Sequence, residues 1–202
     1  MSKTEKEKLL AGELYNSRDP ELLALYHQAR RLTAAFNSAA STETERKQAL
    51  LTELLGRLGR HVWIEAPFYC DYGQHISIGD HTFINMNCVF LDNHYIRIGK
   101  NGLIAPGVHI YTALHPLRAD DRIRSDWQEG DGTAIYRTQA APVTIGDNAW
   151  IGGCAMIMPG VTIGDNATIG AHSVVTKDIP SNVLALGNPC RVVRTLEEGG
   201  KS

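Results

Sequence analysis

The sequence predicts a mainly β chain wound into a triangular column of parallel coils. A small α-helical region precedes the column, and one long loop leaves it. Three observations carry this prediction. Aliphatic residues recur every six positions from 145 to 175, glycine and Asx pairs follow them, and the beat breaks off over one polar stretch. A six-residue period fits neither a helix, which repeats near 3.6, nor a simple strand, which repeats every two. It fits a short strand plus a corner, with three such units closing one coil.

The helical region spans 1–60. Leu9, Leu10 and Leu14, then Leu22, Leu23, Leu25, Tyr26, Ala29, Leu32 and Phe36, follow helical spacing. Ser17 or Asp19 ahead of Pro20 supplies a start for the second helix. The run STETE (41–45), ahead of Ala49, Leu50, Leu51, Leu54 and Leu55, marks a third. Stacked coils have open ends that need covering, and this region is read as one cap.

The coil spans 61–185, and 186–202 form a C-terminal segment. Hexads begin at Ile145, Ile151, Ile157, Ile163, Ile169 and Val175. Their fifth positions are small or aliphatic: Ala149, Ala155, Val161, Ala167, Ser173 and Ile179. An earlier block begins hexads at Ile78, Ile84, Ile98, Ile104 and Ile110, with Thr82, Cys88, Gly102 and Val108 at the fifth positions of the first four. Three hexads per coil predict that residues 18 apart stack: Ile145 on Ile163, Ile151 on Ile169, Ile157 on Val175. Gly-Asp and Asp-Asn supply the corner chemistry. Two breaks interrupt the beat. Ile98 arrives two residues late, so 91–95 must bulge. From 112 to 142 the beat vanishes, and Asp120, Asp121, Arg122, Arg124, Asp126, Glu129 and Asp131 make that span too polar for the column interior. Long loops on rigid repeats are usually functional or disordered.

The 202 residues carry a net charge of -2, which gives no reason to expect nucleic acid or a membrane surface. No apolar run approaches the length of a membrane span, and the charged N-terminus lacks the apolar core of a signal peptide. Cys70, Cys88, Cys154 and Cys190 are scattered without a CxxC. They read as reduced, buried small hydrophobes in a cytoplasmic protein.

Several stretches are similar to the galactoside/maltose O-acetyltransferase group of the hexapeptide-repeat acyltransferases. The anchors are AGELY (11–15), YCDYG (69–73), APGVHIYTALHP (105–116), VTIGDNAWIGG (143–153), VVTKDIP (174–180) and GNPCRVVR (187–194). The resemblance covers nearly the whole chain. It implies that the parallel β-helix is left-handed, although parallel crossovers are otherwise right-handed. It also implies a homotrimer with active sites between neighbouring columns, acetyl-CoA as co-substrate, no metal, and a small sugar as acceptor.

A hydroxyl is a poor nucleophile at neutral pH, so transfer of acetyl to it calls for a base, and a histidine suits the task. The resemblance places that base at His115, whose backbone Pro116 restricts to extended conformations. Asn85 follows the inward Ile84 and so points outward. The resemblance puts it in the catalytic cleft, where an amide can hold a hydroxyl or stabilise developing charge. Asp71 and Asn93 match positions that contact the acceptor, and carboxylates and amides grip hydroxyls well. For acetyl-CoA the resemblance implies Trp150, Gly153, with its amide as oxyanion donor, and Ala171 along the pantetheine arm. It implies Thr176, Lys177, Arg191 and Arg194 near the phosphates and adenine, where cations suit a polyanion.

The chain departs from the group at Ser17, where relatives have aspartate, at Phe83 and at Asn93. Its excursion is longer and ends QAAP (139–142). Residues 118–141, with Trp127, therefore have no counterpart to read from. Three other readings compete. A xenobiotic acetyltransferase would share His115 and the acetyl-CoA residues. A γ-type carbonic anhydrase would need three converging histidines such as His81, His109 and His115. A scaffold would need no His115/Asn85 pair. A covalent route through Cys88 is the mechanistic rival, although no local motif pairs it with a histidine.

Overall fold

The computed structural model describes residues 2–196. Parallel strands form three faces that the chain visits in turn. The first face holds Arg57–Leu58, Ile76–Ile78, Ile96–Ile98, Val143–Ile145 and Thr162–Ile163. The second holds Trp63–Ile64, Phe83–Ile84, Leu103–Ile104, Trp150–Ile151, Thr168–Ile169 and Val183–Leu186. The third holds Phe68–Cys70, Cys88–Leu91, His109–Tyr111, Met156–Ile157 and Val174–Val175.

Strand pairing turns the hexad beat into three interior columns. Ile78, Ile98, Ile145 and Ile163 stand in register on the first face. Ile84, Ile104, Ile151 and Ile169 do so on the second, and Phe90, Ile110, Ile157 and Val175 on the third. None of these side chains is more than 4% exposed. Each fully buried isoleucine contributes about 1.5–3 kcal/mol by leaving water. The predicted pairs 18 residues apart are all present.

Earlier coils are longer. Leu58 pairs with Ile78, and Ile78 with Ile98, each 20 residues on. The surplus sits in two bulges, the expected one near 91–95 and another at 71–75 that the beat did not announce. The first strand, Arg57–Leu58, falls within the stretch read as helical, because no aliphatic repeat precedes it to mark the coil's beginning. At the far end Arg191–Thr195 folds back antiparallel on Val183–Leu186 and covers the last edge of the second face. Residues 197–202 of the C-terminal segment lie outside the described residues.

Corners explain the Asn and Gly punctuation. His61, His81, Asn101, Asn148, Asn166 and Asn182 all have φ between 55 and 60°, the left-handed region asparagine tolerates. Asn101, Asn148, Asn166 and Asn182 bond side chain to side chain in a ladder at 2.8–2.9 Å. Another corner places Cys154 at φ 56° and leaves it exposed, which corrects the expectation that all four thiols are buried.

Three helices lie ahead of the coil. Helix α1 (Glu5–Leu10) starts with a capping box between Thr4 and Glu7. Helix α2 (Pro20–Ser38) starts at Asp19, whose side chain accepts from the Glu21 N–H with Pro20 in the first turn. Helix α3 is Thr44–Leu54. Ala29, Leu32 and Phe36 of α2 and Leu51 and Leu54 of α3 join one core with Phe68, Cys70 and Ile76, closing the open end.

The excursion leaves after Tyr111 and returns at Val143. Its stems, Ala113–Leu114 and Gln139–Ala140, pair antiparallel. Beyond them are a single turn of helix, α4 (Ala119–Arg122), and an antiparallel bridge between Ile123 and Tyr136. Trp127 braces this loop from within, its indole N–H donating to the Thr133 carbonyl at 3.0 Å. The returning stem also meets the N-terminal segment, where the Tyr15 N–H donates to Thr138 O at 3.2 Å.

Candidate active site

His115 follows the outgoing stem of the excursion. Its Nδ1 lies 2.8 Å from the Arg137 carbonyl on the returning stem. A carbonyl only accepts, so in the neutral imidazole Nδ1 carries the proton and Nε2 keeps its lone pair. The side chain is exposed, and the Tyr136 ring stands edge-on with centroids 6.4 Å apart.

His115 opens on a cavity of about 530 Å³. Asp71 and Asn93 line the same cavity, together with Ser17, Tyr26 and Tyr72. Its walls come from four separate stretches of chain: the start of α2, the 71–75 bulge, the 92–95 bulge and the excursion. The Arg30 guanidinium of α2 lies 3.1 Å from Asp71 Oδ1 and 4.6 Å from the Tyr26 ring centroid. Burial raises the Asp71 carboxyl above its usual range, and Arg30 opposes that shift. Asn93 is 9% exposed and donates from Nδ2 to the Tyr15 hydroxyl at 3.3 Å, while its Oδ1 has no protein partner. Burial pushes the Tyr15 phenol up to about 12, so it stays a neutral donor. The cavity thus combines a carboxylate, an amide with a spare acceptor, phenols and an imidazole base. That set suits a small polyhydroxylated molecule.

The remaining expected residues lie elsewhere on the chain. Asn85 sits at a corner after Phe83–Ile84, half-buried, its Oδ1 accepting from the Met86 N–H at 2.8 Å. It does not line the His115 cavity. Trp150 is 51% exposed on the second face, in register with Leu103 and, beyond it, Phe83 and Trp63. Gly152 is needed for packing, because a Cβ there would stand 2.5 Å from the Ala171 nitrogen. Gly153 is open by comparison. A Cβ there would meet only the Pro106 carbonyl at 3.4 Å, and its N–H has no backbone acceptor among the described residues. Ala171, Thr176, Lys177, Arg191 and Arg194 are exposed on the last coils. One chain therefore brings His115, Asp71 and Asn93 together and leaves Asn85 and the expected acetyl-CoA residues apart from them.

Sequence reasoning missed Tyr15, Tyr26, Arg30, Tyr72 and Tyr136 as parts of this site. Tyr26 and Arg30 are four apart on α2, a spacing that signals a shared helix face. Nothing local reveals that this face meets residue 71. The zinc and covalent-cysteine readings turn on other groups. His81 stacks on His61 at 5.0 Å, and His109 bonds the Tyr111 hydroxyl at 2.6 Å. No three His, Cys, Asp or Glu side chains are grouped to hold a metal among the described residues. The Cys88 thiol is buried and pushed up to about 11, which suppresses its thiolate.

Comparison with known proteins agrees with the fold. Residues 8–59 match a maltose acetyltransferase hexapeptide capping motif, and 142–177 match the bacterial transferase hexapeptide family, six repeats long. The galactoside O-acetyltransferase of Escherichia coli K12 is 37% identical over 96% of this chain and 91% of its own length. The crystal structure of a maltose O-acetyltransferase from Clostridium difficile 630 is 44% identical with a TM-score of 0.89, over 98% of this chain and all of that one. A hexapeptide-repeat acetyltransferase of Vibrio cholerae, solved in complex with acetyl coenzyme A, is 40% identical with a TM-score of 0.85, over 98% of this chain and all of that one.

Proposed function

The chain belongs to the hexapeptide-repeat acetyltransferases of the maltose/galactoside O-acetyltransferase type, and from that premise we propose that it acetylates a hydroxyl of a small sugar with His115 as general base. Acetyl-CoA is the acetyl donor. The observation that carries the reading is the His115 ring, held by the Arg137 carbonyl through Nδ1 and sharing one cavity with Asp71 and Asn93.

The acceptor hydroxyl binds among Asp71, Asn93 and the phenols. Its oxygen attacks the thioester carbonyl as Nε2 of His115 takes its proton. The resulting imidazolium keeps its Nδ1–H on the Arg137 carbonyl. The Gly153 N–H is the donor for the tetrahedral oxyanion. Collapse breaks the C–S bond, and the proton on His115 passes to the departing CoA thiolate.

Lys177, Arg191 and Arg194 fit a polyanionic nucleotide. Asn85 and these residues stand away from the His115 cavity, which favours a site completed by a neighbouring copy in a homotrimer. The exposed ladder of Trp63, Leu103 and Trp150 on the second face supports such contact. The N-terminal region then serves as cap and acceptor wall. No described helix is long and apolar enough to cross a membrane, and four free thiols fit a reducing cytoplasm.

Thiol release from acetyl-CoA, measured with a panel of sugars and hydroxylated antibiotics, tests the proposal. Sugars should support turnover, and His115→Ala should lose about 10²–10⁴ of it with an unchanged circular dichroism spectrum. Turnover with antibiotics alone refutes the sugar assignment. Wild-type rates in His115→Ala refute the base.

A further inference from the structure

The 71–75 bulge, which presents Asp71 to the cavity, has no strand pairing of its own. A carboxylate one coil along holds it. Asp92 Oδ1 accepts from the Asp71 N–H at 3.0 Å and the Tyr72 N–H at 2.8 Å. Its Oδ2 accepts from the His75 N–H at 3.3 Å, and its main-chain carbonyl takes the His75 ring N–H at 2.8 Å. Asp92 has no exposed surface. Donors converge on both oxygens, which a carboxylate satisfies and an amide of the same shape does not.

The bulge that contains Asp92 is tied down in turn. The His94 N–H donates to Thr112 Oγ1 at 2.8 Å, and that hydroxyl donates to the Leu91 carbonyl at 2.6 Å. The Thr112 carbonyl accepts from Ala141 N–H at 2.9 Å, where the excursion returns. Thr112 is also without exposed surface and lies three residues before His115. A buried polar column therefore crosses three successive coils, from the turn holding Asp71 to the root of the loop holding His115.

We propose that Asp92 is a positioning residue: its carboxylate sets the turn 71–75 and, through Thr112, fixes that turn against the segment carrying His115. The inference rests on reading the cavity as the acceptor site. Asp92 itself is too deeply buried to touch an acceptor.

Asp92→Asn keeps the shape and turns one acceptor oxygen into a donor that faces an N–H. With maltose, glucose and a methyl galactoside as probes, the acceptor KM should rise about tenfold, the loss of one hydrogen bond to a charged group. The KM for acetyl-CoA should hold. Amide hydrogen exchange gives a readout independent of activity: peptides covering 71–75 should exchange faster while those covering 143–175 keep wild-type protection. Should Asp92→Asn fail to fold, Thr112→Val is expected to give the same selective loosening and KM effect. Wild-type acceptor KM and wild-type exchange at 71–75 would overturn the proposal, as would loosening spread evenly through the coil. If the wild-type protein turns over no sugar, the acceptor reading falls, and the exchange pattern still decides whether Asp92 holds the turn.

Discussion

In the neutral His115 ring the Arg137 carbonyl selects the tautomer whose Nε2 can accept a proton. Pro116 stiffens the backbone beside it. Asp71 depends on Arg30 in a comparable way. Replacing Arg30 by Met would leave a half-buried carboxylate without its counter-charge, and we expect the acceptor KM to rise several-fold while the KM for acetyl-CoA stays unchanged in steady-state assays. Asp92 also makes a pH prediction. Burial pushes its carboxyl up to about 7, against backbone donors that pull it down. Above that value Asp92 is the carboxylate that takes the three N–H donors, and below it the folded protein holds a proton that the unfolded chain releases above its ordinary value near 3.9. This group's contribution to stability is present in full below that value and is lost as pH rises towards 7. His75 works in the opposite direction, its charged form disfavoured by burial. Denaturant melts should therefore show stability falling less steeply between pH 4 and 7 in Asp92→Asn than in wild type, and identical slopes would contradict it. The motif around His115 made that residue legible in the sequence. Arg30 was hidden because its importance is a contact 41 positions away.

The hexad is the most readable element, since each aliphatic start has one destination, the interior column. Ile151 pairs with Ile104 on one side and Ile169 on the other and has no exposed surface. Ile151→Ala should cost about 2–5 kcal/mol of unfolding free energy in a denaturant titration, the usual range for emptying a packed core site. The corners were readable as Asx chemistry, and their left-handed φ values explain why asparagine recurs there. The bulges were half readable. The one at 92–95 shows as a late Ile98. The one at 71–75 follows residues with no earlier beat to be late against, so only the pairing of Leu58 with Ile78 exposes it. Both bulges line the His115 cavity, so the irregular parts of the coil are the parts that shape the candidate site.

For the whole molecule, the division of the expected residues matters most. A single chain builds the His115 cavity between its helices, its bulges and its excursion, yet keeps Asn85, Trp150 and the C-terminal cations outside it. The homotrimer proposed above rests on this division. Light scattering should return three chain masses, and Leu103→Glu, which puts a charge in the exposed apolar ladder, should lower that mass and abolish turnover together. The column was legible because its period is local. The cavity was not, because it draws on stretches from residue 17 to residue 138 that only the folded chain assembles. Proton transfer as proposed depends on the state of one ring. Nitrogen NMR of His115 at alkaline pH reads it directly. An Nδ1-protonated tautomer with bare Nε2, whose signal moves when a sugar acceptor binds, is the expected result. A ring protonated at Nε2, or one insensitive to every acceptor that turns over, would contradict it.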